Sequence, residues 1–226
     1  MLKYHLINKL FYDKYHYKLD LHLQLAPIFR EKKFSYSKEV LDNLQYQYEN
    51  NNEPTQLIWQ KGYKTQEPIN VEQFTTAQTL LHELQSIPYY NFKLRVEHPT
   101  VSFYTDEYSY VQRLCKNIPI KHIIALHRPP EDTELQPNTI LTNNPDAFEY
   151  KVTLGPTCSP GLGHWIQANP DKVKAGTVCL DAIKNNQYVA GYYFYVKNEK
   201  ILNLVKIVVG GKIQRIDKFI NNALSW

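Results

Sequence analysis

The chain has 226 residues, 43% hydrophobic and 21% charged, with a formal net charge of +4. This is a globular balance, enough for one large domain or two small ones, and its mild basic excess permits phosphate contacts without the sharp basic stripe of a dedicated nucleic-acid binder. Cys115, Cys158 and Cys179 form no CxxC pair, which argues against a disulfide framework or a zinc site, and no apolar run reaches the length of a membrane span.

The first clear element is "YHYKLDLHLQL" (15–25), where Tyr15, Tyr17, Leu19, Leu21, Leu23 and Leu25 alternate with polar residues. A period of two over eleven residues is that of a half-buried strand. "FSYSKEVLDNLQYQYEN" (34–50) predicts a helix with Ser35 or Ser37 as cap and a stripe of Val40, Leu41, Leu44 and Tyr48. A short strand and turn follow at 55–65. "NVEQFTTAQTLLHELQSI" (70–87) is a second helix, capped by Asn70, striped by Phe74, Ala77, Leu81 and Leu84, and ended by Pro88. Two β-rich runs within 92–107 flank "EHPT" as a hairpin would. Residues 106–118 predict a helix with acidic residues at its start, and 120–127 a strand.

"RPPEDTELQPNTILTNNPD" (128–146) holds four prolines and reads as a linker. Beyond it come a strand at 148–155, a loop at 156–163 and a short helix at 164–170. A helix at 175–186 and an aromatic strand at 187–196 follow. The chain closes with a helix at 198–209 capped by Asn198 and a strand at 212–220. The domains expected are residues 1–127, a proline-rich linker 128–147, and residues 148–226.

The halves resemble one another. "VSFYTDEYSYVQRLCKNIPIKHI" aligns with "YYFYVKNEKILNLVKIVVGGKIQRI", placing Phe103–Tyr104 over Phe194–Tyr195, and "YKLDL" (17–21) corresponds to "YKVTL" (150–154). Each half reads as β-α-β-β-α-β. The expected fold class is α+β: two ferredoxin-like halves, antiparallel sheets with helices on one face. That scaffold hosts many functions and warrants none by itself.

The stretch "AGYYFYVK" (190–197) resembles the longer signature of RNA-recognition motifs, which share this element order and carry aromatics on their two central strands. It keeps Gly191, Tyr192 and Phe194, and departs at Ala190, Tyr193 and Tyr195. The resemblance implies a sheet face on which bases stack, each contributing roughly 1–3 kcal/mol. Alternation puts Tyr192 and Phe194 on one face, Tyr193 and Tyr195 on the other. The binding set expected is Tyr192, Phe194 and Phe103 with Lys93, Arg95, Lys212 and Arg215. The competing reading makes the aromatic strand core on both faces. A second resemblance covers more of the chain. "LRVEHPTVSFYTDE", "EYKVTLGP" and "GYYFYVKNEKILNLV" look like stretches of uncharacterised proteins of tailed bacteriophages, which implies a viral origin and no particular activity.

Enzyme chemistry has one foothold, "GPTCSPGLGHW" (155–165), a glycine-rich loop that brings Cys158 and His164 near a helix start. A cysteine there can have a lowered pKa, but no acidic orienter is identifiable. His98 stands in the single "HPT", whereas two-histidine phosphoesterases need two such motifs. The expectation is therefore a non-enzymatic nucleic-acid-binding accessory protein with single-stranded nucleic acid as partner. The alternatives are an assembly protein that binds itself or other viral chains, and an enzyme using the Cys158–His164 pair. No metal, cofactor or membrane partner is expected, and the location is the cytoplasm, or the virion for an assembly protein.

Overall fold

A computed structural model describes residues 2–50, 54–60, 63–97, 99–131, 133–143, 148–209 and 212–221. The protein is α+β and divides into two compact units, Met1–Ile7 with Lys14–Thr133, and Asn8–Asp13 with Glu134–Trp226.

In the first unit, β1 (Tyr4–Leu6) and β2 (Tyr17–His22) precede α1 (Phe34–Glu49). A hairpin of β3 (Thr55–Gln60) and β4 (Tyr63–Pro68) leads to α2 (Val71–Gln85). Then come β5 (Phe92–Glu97), β6 (Thr100–Thr105), α3 (Tyr108–Asn117) and β7 (Ile123–Arg128). The sheet order is β1-β7-β2-β6-β5, with β1 parallel to β7 and the other pairs antiparallel. Leu19, Leu21, Val101 and Phe103 on the sheet pack with Leu41, Leu44, Phe74, Leu80, Val111 and Leu114 on the helices. Asn70 caps α2, its side chain accepting from the Gln73 N–H at 2.8 Å. The serine cap expected for α1 is absent. The helix starts after Lys33 without a side-chain cap, and Ser37 is already one turn inside, its hydroxyl donating to the Ile28 carbonyl at 2.7 Å.

The second unit contains β8 (Thr139–Thr142), β9 (Tyr150–Leu154), α4 (Pro160–Ala168), β10 (Val173–Ala175) and α5 (Thr177–Lys184). It ends with β11 (Tyr193–Val196), α6 (Glu199–Val209) and β12 (Ile213–Asn221). Its order is β10-β11-β9-β12-β8, with β8 parallel to β12 and the rest antiparallel. β8 arises inside the proline-rich segment. Asn198 caps α6 through the Ile201 N–H at 3.1 Å. The aromatic strand is shorter than its composition predicts: Gly191 has φ +82°, a left-handed conformation that glycine adopts without cost, and the strand begins only at Tyr193.

The two sheets repeat one plan. β2, β5, β6 and β7 correspond to β9, β10, β11 and β12, and each sheet adds a parallel edge strand, β1 or β8, beside the last of these. The register repeats as well. Leu19 faces Phe103 as Val152 faces Phe194, and Lys18 faces Tyr104 as Lys151 faces Tyr195. The first-to-last strand pairing shifts at the same place in both, skipping Ile124 between Leu21↔Ile123 and Asp20↔Ala125, and Gln214 between Leu154↔Ile213 and Thr153↔Arg215. A bulge re-aims the residues beyond it. Arg215 and Asp217 therefore join Lys151 and Thr153 on the face away from the helices.

Candidate functional site

The second sheet has one face covered by helices. Val152, Leu154, Phe194 and Val196 lie in one core with Leu162, Ile166, Cys179, Ile183, Leu202 and Val205. Phe194 is 0% exposed and Tyr193 43%. The face assignment of the aromatic strand is thus corrected: Phe194 is core, and Tyr193 with Tyr195 carries the helix-free face. Phe103, its counterpart on β6, is also fully buried and is not a stacking residue. The physical reason is the hydroxyl. Phe and Val have no polar atom to satisfy and are buried at no such cost, while Tyr193 is left 43% exposed.

Across the helix-free face run two rows. Lys174, Tyr195, Lys151 and Asp217 are neighbours on successive strands, as are Tyr193, Thr153 and Arg215. The Lys151 Nζ stands 3.9 Å from the centroid of the Tyr193 ring, a cation–π geometry. Tyr195 contacts Tyr193 edge-on at 5.6 Å and Phe219 at 5.9 Å. A concavity of about 660 Å³ opens here, lined among others by Lys9, Tyr12, Lys151, Tyr193 and Arg215.

Its charges are arranged unequally. Arg215 donates from Nε to Asp217 Oδ1 at 2.6 Å, and its terminal nitrogen lies 2.8 Å from Asp13 Oδ1. Asp217 is 2% exposed, so the guanidinium compensates a buried carboxylate. Among the described residues Lys9, Lys151 and Lys174 take part in no ion pair. Burial pushes the Lys151 ammonium below the ordinary lysine range and nearby Lys9 adds to this, while Asp217 acts in the opposite direction.

Tyr192 is not on the strand with Phe194. It precedes β11, is 37% exposed, and lines a second, more apolar hollow of about 360 Å³ with Ala175, Val178, Cys179, Tyr193 and Tyr195. Burial raises the Cys179 thiol to about 11, so it is a neutral wall.

The other expected binding residues lie on other elements. Lys93 and Arg95 lie exposed on β5 of the first unit, Arg95 donating from Nε to Glu97 at 3.0 Å. Lys212 is exposed immediately before β12, its carbonyl accepting from Gly155 N–H at 2.8 Å. His98 lies outside the described residues. Cys158 is 3% exposed among core side chains, and burial raises its pKa, whereas His164 faces solvent on α4. A buried, protonated thiol is a poor nucleophile, which corrects the notion of an activated Cys158. Among the described residues no group of three or more His, Cys, Asp or Glu could hold a metal ion, and no helix is long and apolar enough to cross a membrane.

Tyr193, Tyr195, Lys151, Lys174, Lys9 and Tyr12 were missing from the expected site. The signal for the first two lies in "YYFYV": the residues without hydroxyls, Phe194 and Val196, mark the core parity. No protein-family model matches the chain, and neither curated proteins nor solved structures provide a match to it.

Proposed function

We propose that the protein binds single-stranded nucleic acid, without catalysis, through the helix-free face of its second sheet. The observation that carries this reading is Tyr193, 43% exposed with Lys151 over its ring, on the rim of the basic concavity. Exposed aromatic rings supply stacking platforms that tolerate any base, and lysines beside them track the backbone. The resemblance to RNA-recognition motifs does not carry this reading, since α5 lies between β10 and β11, Tyr192 precedes β11 and Phe194 is core; the viral origin implied by the phage-like stretches suits an accessory role in the host cytoplasm.

The test is titration with a fluorescent single-stranded oligonucleotide at low and rising salt. The wild type is expected to bind at low salt. Tyr193→Ala should weaken binding by about 1–3 kcal/mol, roughly 5- to 150-fold, with little loss of thermal stability, since the ring is exposed. Lys151→Ala should reduce the slope of log affinity against log salt by about 0.7. Absence of binding by the wild type at low salt would reject the reading. Arg215 is unsuitable for substitution, because its loss strands the buried Asp217.

The assembly alternative has one observation in its favour: Leu204, Ile207 and Val208 are exposed on α6, Ile207 at 78%. Apolar patches of this kind mark protein contacts. Self-association that Ile207→Lys abolishes, with no oligonucleotide binding, would favour it.

A further inference from the structure

The apolar hollow beside β11 is separate in character from the basic concavity, yet Tyr193 lines both. The concavity is also lined by Lys9, Lys151 and Arg215 and by the carboxylates Asp13 and Asp217. The apolar hollow is lined by Ala175, Gly176, Val178, Cys179, Tyr192 and Tyr195 together with Lys174. The two hollows therefore share one aromatic ring between an apolar seat and a seat where Lys9 and Lys151 stand beside the Arg215–Asp217–Asp13 cluster.

Resting on the reading of this face as a nucleic-acid surface, we propose that the hollow bounded by Tyr192, Val178 and Cys179 receives one unstacked base of the bound strand. Three tyrosines wall it. Its cysteine is neutral and contributes only van der Waals surface. Its volume, about 360 Å³, falls at the small end of ligand pockets, which span roughly 300–1,000 Å³. Val178 is 68% exposed, an apolar side chain left facing water at the rim, and its contact with a base would remove that surface from solvent. The consequence is selectivity. A base inside a duplex is paired and stacked and cannot enter, so the site takes single strands and discriminates against duplex of the same length and charge.

Two substitutions plug the hollow from different points. Gly176 has φ −69° and ψ 153°, available to any L-residue, and a Cβ built there meets nothing within 4 Å. Gly176→Leu thus adds a side chain without backbone strain, and Val178→Met enlarges an exposed one without adding an aromatic ring. Gly176 also caps α5, so an effect shared by both variants comes from the hollow and not from a weakened helix start. Each variant is titrated with fluorescein-labelled oligothymidylate, with the same oligomer made abasic, and with duplex of equal length.

The expected result is an affinity for oligothymidylate about 5- to 150-fold weaker in both variants, the span of one lost stacking contact. The salt slope is unchanged because no lysine is touched, and the wild type's preference for oligothymidylate over abasic oligomer and duplex is reduced. One outcome would overturn the proposal while leaving the nucleic-acid reading intact: plugged variants that bind like the wild type although Tyr193→Ala does not. A wild type that binds abasic and base-bearing oligomers equally would overturn both the hollow and the Tyr193 stacking platform. A wild type that binds no oligonucleotide removes both.

Discussion

Two sheets of one chain share strand order, register and the position of a bulge, and differ in what they do with their helix-free face. Both carry the row Lys–Tyr–Lys, as Lys93, Tyr104 and Lys18 in the first and Lys174, Tyr195 and Lys151 in the second. The next register position separates them. The first sheet has Ser102 opposite Asp20, where the second has Tyr193 opposite Thr153. Asp20 accepts a hydrogen bond from Ser102 at 2.5 Å, lies 2.7 Å from the Lys18 ammonium and 3.1 Å from His127 Nε2. Tyr104 is 4% exposed and neighbours Tyr15. That face satisfies its own polar groups. In the second sheet Thr153 offers no such charge to Lys151, and Tyr193 stands in solvent. The comparison teaches that strand order and register do not set which side chains a face leaves exposed. The first sheet places its carboxylate at Asp20 opposite Ser102, whereas the second places it at Asp217 beside Arg215 and leaves Tyr193 43% exposed.

The largest effects test what the sheets share. Phe103 and Phe194 occupy matching core positions. Replacing either with Ala should cost roughly 3–5 kcal/mol. Amide hydrogen exchange should accelerate in β2 and β6 for Phe103→Ala, and in β9 and β11 for Phe194→Ala. A stable Phe194→Ala variant that instead lost oligonucleotide affinity would return Phe194 to the binding face.

Much of this repeat was legible in the sequence. The asparagine caps at Asn70 and Asn198 and the pairing of "YKLDL" with "YKVTL" rest on local chemistry, and the structure keeps them, while the strand expected over 15–25 is shortened to Tyr17–His22, with a turn following it. β1, β8 and β10 were not legible. Each has only three or four residues, and each is an edge strand held by a neighbour distant in sequence. So short a segment shows no period, and pairing alone makes it a strand. The site suffered for a related reason. A run of consecutive aromatics has no charged residue to mark its outer face, so Tyr192 and Phe194 were placed together by counting back through a strand that stops at Tyr193. Lys9 and Tyr12 lay beyond reach, because Asn8–Asp13 belongs with the second unit although the first unit surrounds it in sequence.

A smaller effect tests what the sheets do not share. Burial, Lys18 and His5 hold the His127 imidazole below its ordinary value of 6.5, with Asp20 opposing them. The unfolded chain therefore binds the proton more readily. Stability is fully present above 6.5 and falls as pH drops from there toward the lower folded value. Exchange protection in β7 should decline over that window, and His127→Gln should flatten the decline. The second sheet has Asp217 at the matching position, so β12 should not follow the same imidazole titration.

The central claim is that one sheet face of the second unit, and not its counterpart, meets nucleic acid. Photo-crosslinking a single-stranded oligonucleotide carrying 5-iodouracil to the full chain, followed by mass spectrometric mapping, tests it most directly. The account predicts adducts at Tyr193, Tyr195, Tyr192 or Tyr12. Adducts concentrated at Tyr104 or elsewhere in the first unit, or none above those formed with a scrambled-denatured control, would contradict it.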